Sequence, residues 1–266
     1  MSSTLEAVLQ RDRLIVLAGI VVIAGLGWLY LVAMAGMDDM GDMAGMGEMP
    51  DVGEVAGASL RAWTGADFAM MFSMWAVMMV AMMLPSAAPL LLLHARMTRE
   101  QQKTAHPITP TGSFAAGYLL AWTGFSLIAT VLQWALERGA LLSPAMVATT
   151  PYLGALLLVA AGVYQLTPLK HACLDHCRSP LVFLMHHWRS GKGGALRMGV
   201  EHGLYCVGCC WFLMGLLFVG GVMNLLWIAA ISIFVLLEKV APRGELVARA
   251  AGVLLVAAGV WTGVAA

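Results

Sequence analysis

The sequence has few charged residues and lacks the motifs with which common enzyme classes act on their substrates. Asp, Glu, Lys and Arg make up only 11% of the chain and hydrophobic residues 61%, which indicates a polytopic membrane protein rather than a soluble domain. No Gly-rich phosphate loop, nucleophile elbow or pair of catalytic carboxylates occurs, so no catalytic residue is predicted. The net charge is zero and gives no indication of a nucleic-acid partner.

Cysteine is also scarce, and an odd number of five does not form a disulfide framework. Three of the five lie in an apolar run that predicts a membrane-spanning helix. At about 100° per residue, one face of this helix, roughly 120° wide, carries five residues with soft or imidazole ligands. They are Met198, His202, Cys206, Cys209 and Cys210. Because polar groups in membrane helices usually face the bundle interior, we predict a soft-metal site here, although Cys and Met also serve as plain core residues.

Seven apolar runs have about the 17–25 residues needed to cross a bilayer, which predicts an all-α polytopic transmembrane bundle. The predicted spans are about 14–33, 67–93, 114–136, 152–169, 195–219, 222–237 and 246–264. Thirteen of the fifteen Lys and Arg residues fall on one predicted side, Lys170 and Lys239 among them. The positive-inside rule then puts the N-terminus in the cytoplasm and the C-terminus outside, in a bacterial inner membrane. The predicted units are a first span at 1–34, an acidic Met-rich outer loop at 35–62 and a six-span metal-binding domain at 63–266, with a Cys/His cytoplasmic loop at 170–194.

The predicted outer loop contains a methionine-rich segment in which Met recurs every three residues among Asp, Glu, Gly and Ala. Its methionines are Met34, Met37, Met40, Met43, Met46 and Met49. Thioethers bind Cu(I) without losing a proton, and the carboxylates attract cations. We expect a segment that is disordered without metal and collects Cu(I), and Ag(I) weakly; it resembles the Met-rich motifs of copper-handling proteins. A low-complexity linker is the alternative.

A second methionine pattern occupies the second predicted span. The methionine stripe, Met71, Met74, Met78 and Met82, falls within an arc of roughly 80°, and Asp67 shares that face at the outer end. These thioethers form a ladder that could pass a soft cation inward. Core packing is the alternative for the stripe, and helix capping is the alternative for Asp67.

The loop after the fourth predicted span carries a Cys/His cluster. Its candidate ligands are His171, Cys173, His176 and Cys177, within seven residues. Spacings of one to four residues fit zinc as well as copper. A redox pair, or a surface helix with reactive thiols, would have the same sequence.

Three stretches together resemble a bacterial family catalogued as predicted metal-binding integral membrane proteins of unknown function. They are MMFSMWAVMMVAMMLPSAAPLLLLHAR, YQLTPLKHACLDHCRSP and GVEHGLYCVGCCWFLMGLLFVGGVMNLLW with LLEK after it. The resemblance runs from about Asp67 to the C-terminus and implies metal binding. It also implies that Cys173, Cys177, Cys206, Cys209 and Cys210 are family positions, and it does not include the methionine-rich segment.

Together these patterns predict a membrane protein that handles a soft metal, with Cu(I) preferred and zinc as the alternative, in transport or delivery. Without a nucleotide-binding motif, any transport is passive, coupled to another gradient or driven by a partner. Compatible partners are membrane lipid, a soluble metallochaperone, a membrane partner protein or a second copy of the chain. The alternatives are a membrane thiol-redox protein, a haem or chromophore protein using His202, and a non-catalytic anchor subunit.

Overall fold

The computed structural model describes residues 2–45, 63–102, 108–143 and 146–266, with side chains described from residue 10 to 36, 63 to 100, 108 to 143 and 146 to 266. Within these ranges the chain is helical and has no β-strand beyond an isolated bridge between Leu142 and Ala148. This confirms the all-α prediction. The α-helices are α1 Ser2–Gly45, α2 Gly65–Met83, α3 Ala88–Gln102, α4 Ile108–Arg138, α5 Pro151–Leu166, α6 Pro168–Arg178, α7 Pro180–His187, α8 Gly191–Gly215, α9 Leu217–Gly220, α10 Leu225–Val240 and α11 Gly244–Ala265.

Several helices are long and apolar enough to cross a membrane. Among the described residues they are Gln10–Gly36, Gly65–Glu100, Ile108–Arg138, Gly191–Gly220 and Gly244–Ala265. Helices α5 and α6 qualify together as a sixth, although the chain bends by 65° between them. Helix α10 has only 16 residues. The count of seven spans and the side on which each terminus lies therefore stay predictions.

The first helix differs from expectation at its C-terminal end. Helix α1 continues to Gly45, so residues 35–45 of the predicted outer loop are helical. The expectation that this part is disordered is wrong for these residues, although six of the eleven are Gly or Asp. Extending a helix that already exists costs less than starting one, so the apolar helix before them can continue through residues of low helix propensity. Residues 46–62 lie outside the described part of the chain.

Proline interrupts the second span without ending it. Helix α2 stops at Met83, and Pro85, which has no N–H to donate, begins a 3-10 turn through Ala87. Helix α3 starts directly afterwards, so α2 and α3 form one apolar unit of 36 residues. The buried face of this unit carries most of the methionine stripe.

Helices α4 and α8 cross with their backbones in contact, because glycines line the crossing. A Cβ atom on Gly117 would lie 2.1 Å from the carbonyl oxygen of Leu196, and one on Gly199 would lie 2.0 Å from that of Phe114. Such close approach is the usual role of small residues between membrane helices. The crossing fixes the face of α8 that carries the cysteines against the bundle interior.

Helix α6 leaves the direction of α5 by 65° and packs against α8. Its position is held by a buried ion pair in which Lys170 Nζ lies 2.8 and 2.9 Å from the two carboxylate oxygens of Glu238. Gln165 donates a further hydrogen bond of 2.8 Å to Glu238. Lys170 and Lys239, both counted on the predicted cytoplasmic side, are buried among α6, α8 and α10, where Glu238 and Cys206 are their partners. The side on which they lie stays a prediction.

Candidate metal centre

Four cysteines from two helices converge in the bundle interior. Cys206, Cys209 and Cys210 on α8 are buried, and Cys177 reaches them from α6. The Sγ atoms of Cys177 and Cys209 are 3.9 Å apart, and those of Cys209 and Cys210 are 3.2 Å apart. The thiol of Cys209 also lies 3.2 Å from the backbone carbonyl of Cys206, one turn earlier on α8. These residues, Cys177, Cys206, Cys209 and Cys210, form what we call the cysteine cluster.

The thiols are spaced nearly as metal ligands are, but they do not form a complete metal site. Two thiolates on one ion, with bonds of about 2.3 Å and a tetrahedral angle, are about 3.8 Å apart. The Cys177–Cys209 distance of 3.9 Å matches this value, whereas the Cys209–Cys210 distance of 3.2 Å is shorter. In the described part of the chain, no three Cys, His, Asp or Glu side chains already stand in metal-binding positions. A soft ion that needs two or three ligands would require only a rotation of Cys side chains.

Cys206 is surrounded by polar groups that the sequence analysis did not assign to the site. The ammonium group of Lys239 lies 2.9 Å from Cys206 Sγ and donates a 3.1 Å hydrogen bond to Ser86 Oγ. The hydroxyl group of Tyr118 lies 3.0 Å from the same sulfur atom and donates to the Met83 carbonyl, also at 3.0 Å. A cation thus contacts Cys206 without any metal. In the sequence, Glu238 and Lys239 at the end of an apolar run could have indicated this contact, because charged residues are unusual in such a run.

His202 lies one turn before Cys206 on the same face of α8. Its side chain is buried, and its Nδ1 atom has no hydrogen-bond partner among the described residues. The ring is stacked on Tyr118 at a centroid distance of 5.9 Å and touches Phe183 edge-on at 5.1 Å. A buried imidazole nitrogen without a partner is costly unless it binds a ligand, which fits the predicted role of His202.

The remaining residues of the predicted Cys/His loop differ in their distance from the cysteine cluster. Cys173 lies beside the cysteine cluster, because its Sγ atom occupies the space left by the missing side chain of Gly208. His176 is stacked on Tyr205 at 4.3 Å, and its Nδ1 bonds the Ala172 carbonyl. His171 points toward α11, where its Nδ1 lies 3.9 Å from Glu245. The structure therefore brings Cys173 to the edge of the cluster and leaves both histidines outside it.

The methionine stripe faces the bundle interior as predicted by its spacing. Met74, Met78 and Met82 are buried, and Met71 is half-buried near the start of α2. The other end of α2 adjoins the cysteine cluster through Tyr118, whose hydroxyl group contacts both the Met83 carbonyl and Cys206. Burial fits core packing as well as a ladder of thioethers, so the role of the stripe stays a prediction.

Asp67 acts as a helix-capping residue in the structure. Its carboxylate accepts hydrogen bonds of 2.8 Å from the backbone N–H and the hydroxyl group of Thr64, and the Thr64 side chain accepts from the Asp67 N–H. This reciprocal arrangement is a capping box at the start of α2. Of the two roles considered for Asp67, the structure shows helix capping.

The methionine-rich segment is only partly described. Met34 is half-buried and packs against the core. Met37, Met40 and Met43 belong to α1, but their side chains are not described, and Met46 and Met49 lie outside the described residues. The expected copper-collecting role of the segment therefore stays a prediction.

Comparisons with known proteins assign the chain to a family. No curated protein and no solved structure matches it significantly. The sequence profile of the PpoB2 family, described as copper chaperone, matches residues 72–262. This range contains the whole cysteine cluster and Lys239, begins after the methionine-rich segment and covers more than two thirds of the chain. The chain therefore belongs to the PpoB2 copper chaperone family.

Proposed function

We propose that the protein is a multi-pass membrane copper chaperone that binds Cu(I) at the cysteine cluster. The observation that carries the proposal is the approach of Cys177 to Cys209, at 3.9 Å, from a helix far away in the sequence. Thiolates are soft ligands that prefer Cu(I), and membership of a copper chaperone family supports copper as the cargo. His202 offers an additional ligand from the same face of α8.

Charge balance supports a monovalent cargo. Two thiolates and one Cu(I) ion carry a net charge of −1, which is expensive in a low-dielectric interior. The ammonium group of Lys239 neutralises that charge from a position already in contact with Cys206. Its second partner, Ser86, is on the 3-10 turn between α2 and α3 and can hold Lys239 when Cys206 turns toward copper.

The proposed route begins at the methionine-rich segment, continues along the methionine stripe and ends at the cysteine cluster. Thioether and thiolate ligands have similar preferences for soft ions, so each exchange of ligands needs little free energy. Cys173 lies at the edge of the cluster, where it could transfer the ion to a soluble metallochaperone or a membrane partner protein. We place the protein in a bacterial inner membrane with the N-terminus inside and the C-terminus outside, because of the Lys and Arg distribution.

The test compares the copper content of two proteins purified anaerobically in detergent. One is the wild-type chain and the other is the triple variant Cys206→Ser, Cys209→Ser, Cys210→Ser. We expect stoichiometric copper by mass spectrometry in the wild-type protein and its loss in the variant, with the same difference in a Cu(I) titration. The Met70→Leu variant is the control, because Met70 is 48% exposed and lies outside the stripe. Zinc alone, or no metal in either protein, would refute the proposal.

A thiol-redox function is the second candidate, because Cys177 and Cys209 are close enough to form a disulfide after a small movement. That reaction would join the two sulfur atoms and pass two electrons and two protons to an acceptor. Counting free thiols after exposure to oxidised and reduced glutathione separates the two functions. When the count is made after copper has been removed by a chelator in denaturant, a metal chaperone keeps all of its thiols, whereas a redox protein loses two thiols reversibly.

A further inference from the structure

We propose that Met71, Met146 and Glu137 form a second binding site, for a soft monovalent cation such as Ag(I) or Cu(I). These three side chains surround the amide group of Gln133 near the start of α2. Met71 is 12 residues before Met83, which corresponds to about 18 Å along a helix at about 1.5 Å per residue. The site is therefore separate from the cysteine cluster and does not depend on it for ligands.

The orientation of the Gln133 amide is fixed by its neighbour Trp75. The indole N–H of Trp75 lies 2.7 Å from Gln133 Oε1. An indole N–H can only donate, so the oxygen atom of the amide must face it and the NH₂ group must point the other way. Gln133 is fully buried in α4, which leaves this NH₂ group no access to water.

Three acceptors converge on that single NH₂ group. Its nitrogen lies 2.8 Å from Glu137 Oε1, 3.3 Å from Met146 Sδ and 3.7 Å from Met71 Sδ. The group has only two hydrogen atoms to donate, and thioether sulfur is a weak acceptor. Two sulfur atoms and a carboxylate thus surround one position, which the NH₂ group now fills, and together they are the donor set of a soft cation.

The two outer ligands are held in place by their own surroundings. The second oxygen of Glu137 accepts a 2.8 Å hydrogen bond from the indole N–H of Trp63. Met146 has a φ of +55°, a conformation that residues other than glycine rarely adopt. Met146 N donates a 2.8 Å hydrogen bond to Ser143 O, and Ser143 N donates one of 2.8 Å to Val147 O, so Met146 is tied to its neighbours on both sides. A strained turn that aims a thioether inward is typical of a ligand-binding site.

The chemistry of this donor set favours a soft cation of single charge. Thioether sulfur binds Cu(I) and Ag(I) and interacts poorly with hard divalent ions. The carboxylate of Glu137 supplies one negative charge, which balances one positive charge in a half-buried position. Binding requires only that the Gln133 amide withdraw from the centre of the three ligands.

The first experiment measures Ag(I) stoichiometry in the full chain, with Ag(I) added anaerobically to detergent-purified protein. We expect the double variant Met71→Leu, Met146→Leu to bind one Ag(I) ion fewer than the wild-type chain. Leucine nearly conserves the volume of methionine, so the fold should be retained. The control is Met70→Leu, whose side chain is exposed. If the double variant keeps the full stoichiometry while the triple cysteine variant loses an ion, this proposal is overturned and the function proposed above stands.

The second experiment uses the wild-type chain and so does not depend on how a variant folds. The rate of sulfoxide formation by hydrogen peroxide is measured for each methionine by peptide mass spectrometry, with and without Ag(I). Metal-bound thioethers are protected, so oxidation of Met71 and Met146 should slow together several-fold while that of Met70 stays constant. Equal rates for Met71 and Met146 with and without Ag(I) would overturn the site.

Discussion

Cys173 and Cys177 are one turn apart on α6, yet they have different surroundings. Cys177 lies 3.9 Å from Cys209, whereas Cys173 fills the space above Gly208 at the edge of the cluster. We predict that Cys177→Ser lowers the affinity for Cu(I) on the order of 10–100-fold or more, since a lost ligand costs at least as much as a lost outer-shell contact. Cys173→Ser should lower it much less.

The measurement is a competitive titration with a Cu(I) chelator on both variants under anaerobic conditions. Serine nearly matches cysteine in size, so each variant keeps its helix packing and serves as the control for the other. Equal loss of affinity in the two variants would mean that Cys173 is as much a ligand as Cys177.

At the scale of single residues, the sequence predicted which helix face carries the cysteines but not which residues of other helices contact that face. The helical periodicity was enough to place His202, Cys206 and Cys209 on one buried face of α8. It could not predict that Cys177 contacts this face, because that contact depends on the 65° bend between α5 and α6. Lys239 was missed for the same reason, since its position beside Cys206 is set by the packing of α10.

At the scale of helices, the crossing of α4 and α8 depends on glycine at the point of contact. A Cβ atom on Gly117 would lie 2.1 Å from a backbone oxygen of α8, which cannot move away as a flexible side chain can. We predict that Gly117→Ala destabilises the folded protein by about 1–3 kcal/mol or more, by overpacking. Unfolding by SDS in mixed micelles gives the free energy.

Gly124 provides a matched control on the same helix. No atom would lie within 4 Å of a Cβ placed there, so Gly124→Ala should leave stability unchanged or raise it slightly. If the two substitutions had equal effects, helix propensity rather than the crossing would be responsible. Release of copper by Gly117→Ala alone would further indicate that the crossing holds the cysteine face in position.

Helix types and most helix positions could be predicted from hydropathy, whereas the break inside the second span is indicated by a single residue, Pro85, and the end of α1 by neither. The apolar run of the second span is continuous in sequence, yet Pro85 divides it into α2, a 3-10 turn and α3 without turning the chain away. Composition indicated a polar loop after the first span, but α1 continues to Gly45. A local average of polarity does not determine where a helix stops, because extending an existing helix costs less than starting one.

At the scale of the whole molecule, a buried ion pair links α6 to α10, which are far apart in the sequence. Lys170 on α6 and Glu238 on α10 are both fully buried, so removing one partner leaves an uncompensated charge. We predict that Lys170→Met costs about 3–5 kcal/mol of stability. The double variant Lys170→Met, Glu238→Leu should recover most of that loss, since no charge remains buried.

Unfolding by SDS in mixed micelles measures both variants against the wild-type protein. The exposed pair Arg96 and Glu100 is the control, because its side chains are 65% and 52% exposed and Arg96→Ala should change stability by less than about 0.5 kcal/mol. A single variant as stable as the control would show that Glu238 finds another partner. The residue nearest to that role is Gln165, which already donates to Glu238.

The distribution of charge illustrates what the whole sequence could and could not predict. Thirteen basic residues on one predicted side indicate an orientation, but two of them, Lys170 and Lys239, are buried inside the bundle. Counting charges assumes that every Lys and Arg near a helix end faces water. Glu238 and Lys239 are neighbours on α10, and each finds a partner inside the bundle: Lys170 for Glu238 and Cys206 for Lys239. These contacts result from tertiary packing and cannot be read from a count of charges.

The surroundings of Cys206 also have a consequence for biosynthesis. A ribosome makes Cys177 first, the three cysteines of α8 next and Lys239 last, because these residues follow in that order along the chain. A nascent chain that has completed α9 already contains all four thiols of the cluster but lacks the ammonium group that contacts Cys206. A protein truncated before α10 would therefore contain the four thiols without the cation that contacts Cys206 in the whole chain.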